Sequence, residues 1–354
     1  LRKIECIKVH RRQGGDVIRA LSKLDLLNVE FKIAHSEDSV LIPLKRKLTD
    51  EEERKLKSEI GFFEVSEHNF IQRHLQKNLM DVLEETFPPH LLASVPRSYD
   101  IVGHIAILEL QPELSEFKRV IGNAVIQLHR NVKTVLAKIS PISGEFRLRK
   151  FELVAGEDRT ETEHREHGCR FLLDVKKAYF SPRLAFEHKR VAQLVREGEV
   201  IVDMFAGIGP FSVIIAKNRK NVKIYAIDLN SDAIEYLKRN IKLNNVNGKI
   251  VPIVGDAEKI ISVNLRNIAD RVIMNLPERA VDYVDTACKA IKLTGGIIHF
   301  YTFTTEPKPV EKAIEVLREA IEKAGRKMEE KAFARLVKPS APHEWQVVVD
   351  VKVI

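Results

Sequence analysis

Between Val200 and Lys217 the chain reads VIVDMFAGIGPFSVIIAK: an apolar run closed by Asp203, a Gly-x-Gly turn at Gly207 and Gly209, and a second apolar run. Only residues without a side chain let backbone approach a ligand this closely, and a helix starting there adds partial positive charge. The next apolar run, KIYAID, ends in Asp228, about 20 residues past the turn, where a carboxylate can accept both hydroxyls of a ribose. A third, KIVPIVGDAEKI, carries Asp256, placed to hydrogen-bond an adenine amine, and a fourth, RVIMNLPE, carries Asn275. Each of these residues alone could be a turn or helix cap. Together, at four successive strand ends, they point polar groups into one crevice at the carboxyl edge of a parallel sheet. A nicotinamide-binding turn would place a third glycine where this chain has Ser212.

The elements that must hold these groups follow from periodicity. From Val200 onward, strand candidates VIVDMF, KIYAID, KIVPIV, RVIMNL and GIIHFYTF alternate with helical stretches, which is the pattern of βαβ units. The helix in LNSDAIEYLKRNIKLNNV has Asn230 or Ser231 as its N-cap. The closing run AFARLVKPSAPHEWQVVVDVKV reads as two strands joined by a long loop, which adds an antiparallel strand to a mostly parallel sheet. Upstream, residues 68–177 read as an α+β domain. It comprises a helix over Asn69–Phe87, a strand over Ile101–Leu110, a helix over Leu114–Leu128, a strand over Thr134–Ser140, and strands in GEFRLRKFELVAGE and Thr162–Val175. Residues 1–62 read as a smaller α+β module ending in the helix LTDEEERKLKSEIG, with Thr49 or Asp50 as N-cap and Gly61 at its end. The third domain is then 178–354.

With 58 Lys and Arg against 50 Asp and Glu, the net charge of +8 favours a polyanionic partner, nucleic acid first. Six basic residues, Arg130, Lys133, Lys138, Arg147, Arg149 and Lys150, fall between His129 and Lys150, a density suited to RNA phosphates. The alternative is a solvated charged face. Cys6, Cys169 and Cys288 stand far apart with no Cys-x-x-Cys pair, so no metal site and a reducing compartment are expected. No run approaches the roughly 18 apolar residues of a membrane span and LRKIECIKVHRR lacks a signal core, so a cytoplasmic protein with no membrane partner is expected.

The glycine turn and the four strand-end polar residues resemble the class I S-adenosylmethionine-dependent methyltransferases. That implies a Rossmann-like α/β domain with a mostly parallel sheet and an antiparallel terminal strand, here preceded by two smaller α+β domains. Upstream of it lies KKAYFSPRLAFEHKRVAQLV. With VDMFAGIGPF, IDLNSDAIEYLKRNIKLNN, MNLP, GEFRLRK and AGEDRTETEH, this segment is similar to the archaeal and eukaryotic tRNA guanine-N1-methyltransferases, which act at position 37 beside the anticodon.

That resemblance implies S-adenosylmethionine as cofactor and N1 of guanine as methyl acceptor. N1 carries a proton at neutral pH, so a base is needed, and the motif match gives that role to Glu187. Arg147 would stabilise charge on guanine O6, and Asn275 would orient the base. The cofactor would be held by Tyr179, His188, Asp203, Phe205, Gly207, Gly209, Asp228, Leu229, Asp256, Ala257, Asn275 and Pro277. The target base must leave its stack. The second domain would contact the anticodon stem-loop and the N-terminal module the outer corner of the tRNA; separately from the resemblance, a self-contained three-domain chain is expected to act as a monomer.

Other readings have their own signatures. Wyosine-pathway enzymes share much of the domain, and they transfer an aminocarboxypropyl group or methylate carbon 7 of the tricyclic precursor. Those that methylate carbon 7 tend to carry Asn-Pro-Pro where this chain has Asn275-Leu276-Pro277. Pyrimidine-C5 transfer would need a cysteine nucleophile, which neither Cys169 nor Cys288 is placed to be. A nicotinamide oxidoreductase lacks its third glycine here, and a non-catalytic RNA binder would have no need of Glu187 or Asn275.

Overall fold

The computed structural model describes residues 2–36, 38–71, 78–84, 87–141, 144 and 146–354. The chain divides into two compact units, Leu1–Asn78 and Leu79–Ile354. In the first, β1 (Arg2–His10), α1 (Gly14–Lys23), β2 (Ala34–His35), β3 (Ser39–Pro43), α2 (Asp50–Ile60) and β4 (Glu64–Phe70) build an antiparallel sheet of order β2-β3-β1-β4. Its core includes Ile7, Val17, Leu21, Ile42 and Leu56. Thr49 caps α2 in a reciprocal box with Glu52, and Gly61, at φ +83°, ends it.

Two sequence expectations need correction here. β4 pairs with β1 from Glu64 to Phe70, so the module runs past residue 62, and Asn69 and Phe70 are strand rather than helix. The sequence EVSEHNF hides this because it lies at the sheet edge, where only Phe70 is buried and no apolar alternation is required. Of the helix expected over 69–87, the described part is α3 (Leu79–Leu83), which begins the second unit; residues 72–77 and 85–86 lie outside the described residues.

The second unit opens with α3, α4 (Pro89–Leu92), β5 (Asp100–Val102), β6 (Ile105–Leu108), α5 (Lys118–Leu128), β7 (Thr134–Lys138) and β8 (Phe151–Gly156), forming a sheet of order β5-β6-β7-β8. The single strand expected over 101–110 is a hairpin, because Gly103 turns the chain at φ +58°. A Cβ there would lie 2.3 Å from Thr162 Oγ1, so glycine is required. The hairpin β9 (Glu161–Glu166) and β10 (Cys169–Asp174) follows, turning at His167-Gly168.

The large sheet has seven strands. α6 (Ala185–Leu194) leads into β11 (Val200–Asp203), α7 (Pro210–Asn218), β12 (Lys223–Asp228), α8 (Ser231–Leu243), β13 (Ile250–Val254), α9 (Ala257–Asn264), β14 (Arg271–Met274), α10 (Val284–Ala290), β15 (Gly296–Thr305), α11 (Pro309–Lys323), β16 (Phe333–Ala341) and β17 (Glu344–Val353). The order is β13-β12-β11-β14-β15-β17-β16, parallel through β15, with β17 antiparallel to it along Gly296–Thr305. Strand order reverses between β11 and β14, and this switch point opens the crevice at the carboxyl edge. α6, α7, α8 and the β9–β10 hairpin share one core on one face; α9, α10 and α11 share the other. The long loop expected between the last two strands is instead a two-residue turn, Pro342-His343, because β16 continues as strand through its exposed end, Pro339-Ser340-Ala341.

Two asparagines fix the hairpin to the Rossmann-like layer. Asn244 Oδ1 accepts from the Arg170 N–H and its Nδ2 donates to the Arg170 carbonyl; Asn240 does the same for Leu172. One helical turn apart, in α8 and at its C-cap, they pair with alternate residues of β10 much as a neighbouring strand would. Among the described residues no helix is long and apolar enough to cross a membrane.

Candidate active site

The strand-end groups meet around a cavity of about 480 Å³, a size suited to a nucleoside cofactor. Arg147, Tyr179, His188, Phe205, Gly207, Asp228, Leu229, Asp256, Ala257 and Asn275 line it; Glu187, Asp203, Gly209 and Pro277 do not. Asp228, at the end of β12, accepts from the Gly207 N–H at 2.7 Å and the Asn230 N–H at 2.9 Å, which anchors the carboxylate beside the glycine turn. Burial raises its pKa above the ordinary aspartate value. Asp256 caps α9 by accepting from the Glu258 and Lys259 N–H groups, and Ala257 is the first residue of that helix. Leu229 offers an exposed apolar surface, and Phe205 meets Tyr283 edge-on with ring centres 5.0 Å apart.

Asp203 and Gly209 build the turn from beneath. Asp203 is 1% exposed and accepts from the Ser212 hydroxyl at 2.7 Å. Thus the residue at the missing third glycine position ties α7 to β11. Burial, reinforced by the charge of Asp228, pushes the Asp203 carboxyl up to about 7. Gly209 adopts φ +87° at the N-cap of α7, where a Cβ would lie 2.3 Å from Leu237 Cδ1 on α8. Helix packing and a left-handed backbone therefore require glycine there.

Three buried polar atoms at this site have no hydrogen-bond partner: Asn275 Oδ1, Arg147 Nε and His188 Nε2. Buried polar groups are rarely left unpaired, so a cluster of them lining one cavity is the signature of a ligand site. Asn275 follows β14 directly; the Pro277 carbonyl accepts from the Phe303 N–H, which fixes the loop after it. Among the described residues no group of three His, Cys, Asp or Glu side chains is arranged to hold a metal.

Arg147 and Tyr179 also border a second cavity of about 460 Å³. The Arg147 guanidinium stacks 4.8 Å from the Tyr179 ring centre and pairs with Glu278 at 3.3 Å. It sits on a turn at φ +54° rather than on the strand expected for GEFRLRK. Lys138, Arg149, Arg183 and Lys338 line the second cavity, so Lys138, Arg147 and Arg149 of the basic run converge there while Arg130, Lys133 and Lys150 do not.

Glu187 lies on α6 between Leu184 and His188, both of which line the first cavity, yet it is 1% exposed and engaged elsewhere. The Tyr301 hydroxyl donates to it at 2.9 Å, Arg190 Nε at 2.9 Å, and Arg335 stands 3.3 Å away. Arg190 also pairs with Asp350, which meets His299 at 2.6 Å; His299 in turn accepts from Arg271 at 2.8 Å, and Arg271 pairs with Glu199. Arg190 stands at helical i,i+3 spacing from Glu187, but the other partners come from β14, β15, β16, β17 and the loop before β11, and no spacing links them. Tyr283 and Lys338 lack a local signal for the same reason, whereas Glu278 closes the run RVIMNLPE and Ser181 and Arg183 lie in KKAYFSPRLAFEHKRVAQLV.

A model of the TRM5/TYW2 methyltransferase domain matches residues 162–329, one of the TYW2 N-terminal domain residues 79–160, and one of the tRNA methyltransferase 5 N-terminal domain residues 6–52. The chain is 40% identical over 347 residues to the tRNA (guanine(37)-N(1))-methyltransferase Trm5b of Pyrococcus abyssi, covering 98% of each. It is 38% identical over 261 residues to the tRNA 4-demethylwyosine(37)-methyltransferase Taw21 of Saccharolobus solfataricus, covering 72% of this chain and 92% of that one. Among solved structures, the complex of aTrm5 and tRNALeu superposes with a TM-score of 0.68 at 35% identity, covering 98% of this chain and 99% of that one. Three family models in sequence and a 40% identical relative along 98% of the chain establish that it belongs to the TRM5/TYW2 methyltransferase family.

Proposed function

We propose that the chain is a tRNA (guanine(37)-N1)-methyltransferase that uses S-adenosylmethionine. The observation that carries this reading is the meeting of two cavities at Arg147 and Tyr179, one sized for a nucleoside cofactor and one where Lys138, Arg147, Arg149, Arg183 and Lys338 stand among Asp100, Glu109, Glu278 and Glu344, cations that RNA phosphates can draw from their carboxylates. The cofactor supplies an electrophilic methyl carbon: the N1 electron pair forms the new C–N bond while the C–S bond breaks and S-adenosylhomocysteine leaves. Asp228 accepts the ribose hydroxyls, Asp256 the adenine amine, and Leu229 and Phe205 cover the adenine faces. Arg147 leaves Glu278 to donate to guanine O6, where negative charge develops as N1 loses its proton. Asn275 uses its free Oδ1 to orient the base.

Glu187 takes the N1 proton. It stands three residues after Leu184 and next to His188, both of which line the cavity, and a side-chain rotation away from Tyr301 and Arg190 would turn the carboxylate toward it. The target guanine leaves its stack to enter, the second domain holds the anticodon stem-loop, and the N-terminal module meets the outer corner of the tRNA. The enzyme acts in the cytoplasm as a monomer. The wyosine-pathway relative covers 72% of this chain against 98% for the guanine-N1 relative, which favours the first reading.

Incubation of unmodified tRNA with the protein and S-adenosylmethionine, followed by nucleoside mass spectrometry, tests this. The expected product is 1-methylguanosine, absent when guanosine 37 is replaced. An aminocarboxypropyl adduct, or a methyl group that persists after the replacement, would overturn the reading.

A further inference from the structure

His188 is buried at 1% exposure, and Glu166, in the β9–β10 hairpin, stands 2.6 Å from its Nδ1. A carboxylate accepts, so the ring proton sits on Nδ1 and the tautomer is set. Phe211 packs edge-on against the imidazole with centres 4.6 Å apart, which prevents the ring from swinging. Nε2, on the opposite edge, is buried without a partner in a residue that lines the first cavity. The same turn grips α6 a second time: the next residue, His167, donates from Nε2 to the Ala185 carbonyl at 2.7 Å. Glu166 is itself 6% exposed, an expensive place for a carboxylate with no task.

The cavity has a direction. Asp256 adjoins Gly255, whose N–H donates to the Asp228 carbonyl, and the Asp228 side chain holds Gly207. The chain then runs through Gly209 to Phe211, against which His188 stands. With adenine at Asp256 and ribose at Asp228, the His188 end receives the amino-acid end of the cofactor. That end carries both an ammonium donor and a carboxylate acceptor.

We propose that Glu166 is a positioning residue for the cofactor: held through Nδ1, His188 presents a fixed Nε2 to the amino-acid end of S-adenosylmethionine. The inference rests on the cofactor reading of the first cavity and goes beyond it, because the positioning group comes from the hairpin outside the seven-stranded sheet.

The test is calorimetric titration of the full chain with S-adenosylmethionine and with 5′-methylthioadenosine, which lacks the amino-acid end. Glu166→Gln weakens S-adenosylmethionine binding about tenfold, the order of one charge-assisted hydrogen bond, and leaves methylthioadenosine binding within about twofold. In a His188→Asn background, Glu166→Gln has no further effect, since the two act as one unit. Equal weakening of both ligands, additive losses in the double variant, or an unchanged affinity would overturn the proposal. If His188→Asn alone leaves S-adenosylmethionine binding intact, the placing of His188 at the cofactor fails instead, a separate outcome. Should Glu166→Gln not fold, Glu166→Asp, whose shorter side chain falls away from Nδ1, gives the same selective loss.

Discussion

Glu187 and His188 are neighbours on α6, and each keeps one buried atom without a hydrogen-bond partner, Oε1 and Nε2, but Glu187 is also met by Tyr301, Arg190 and Arg335. A base that must leave such partners acts only when a guanine replaces what it gives up. Glu187→Gln is therefore expected to lower the single-turnover methyl-transfer rate by about 10²–10⁴-fold, the usual worth of a positioned base. Calorimetry should find its S-adenosylmethionine affinity within about twofold of the parent. Full turnover in that variant would remove Glu187 from the chemistry. Asp203 carries a different expectation. Its carboxyl is raised to about 7 by burial, so the folded state holds a proton that the unfolded chain gives up near pH 4. Its contribution to stability is present below the ordinary aspartate range and is lost as pH rises from about 4 to 7. Asp203→Asn does not titrate, so its stability relative to the parent should climb across that window by on the order of a few kcal/mol and level off above pH 8. Thermal unfolding of both proteins across pH checks this; a pH-independent difference would show that Asp203 is ionised throughout.

At the scale of elements, α8 holds more of the site together than an amphipathic helix would suggest. Asn240 has no exposed surface, and it satisfies the Leu172 N–H and carbonyl and the Ile208 carbonyl, joining the hairpin that carries Glu166 to the glycine turn. Asn240→Ala leaves these three backbone groups unpaired and should cost about 3 kcal/mol or more in chemical denaturation, given about 1–3 kcal/mol for each group stranded; a loss below about 0.5 kcal/mol would mean water replaces the amide. In the sequence this asparagine sits within LKRNIKLNN and reads as one more polar helix residue. The contrast with Asp228 and Asp256 explains what could be read in advance. Those acids end buried strands whose apolar runs announce them, so their position at the sheet edge follows from local pattern alone. Asn240, Glu166 and Tyr301 acquire their roles from partners 68, 22 and 114 residues away, and no local pattern encodes such a meeting. β4 was missed for the opposite reason: an edge strand with one buried residue leaves no periodic trace.

At the scale of the molecule, each compact unit has its own core, that of the first built around Ile7, Leu21 and Leu56, and those of the second around both faces of the large sheet and the β5–β8 layer. The cofactor cavity lies wholly within the second unit. A chain of residues 79–354 should therefore unfold cooperatively and bind S-adenosylmethionine within about twofold of the full chain. Its use of tRNA should differ. Two modules on one chain gain avidity because the second contact is intramolecular, and an effective concentration in the millimolar range multiplies the affinity of the first by 10²–10⁴ in favourable cases. If the N-terminal module meets the outer corner of the tRNA, its loss should raise the KM for full-length tRNA about tenfold or more, while an isolated anticodon stem-loop is methylated equally by both forms. Steady-state kinetics with the two substrates reads this directly. A KM for whole tRNA unchanged on truncation would assign recognition to the second unit alone, and a rise that also appears with the stem-loop would mean that the module acts on the anticodon arm.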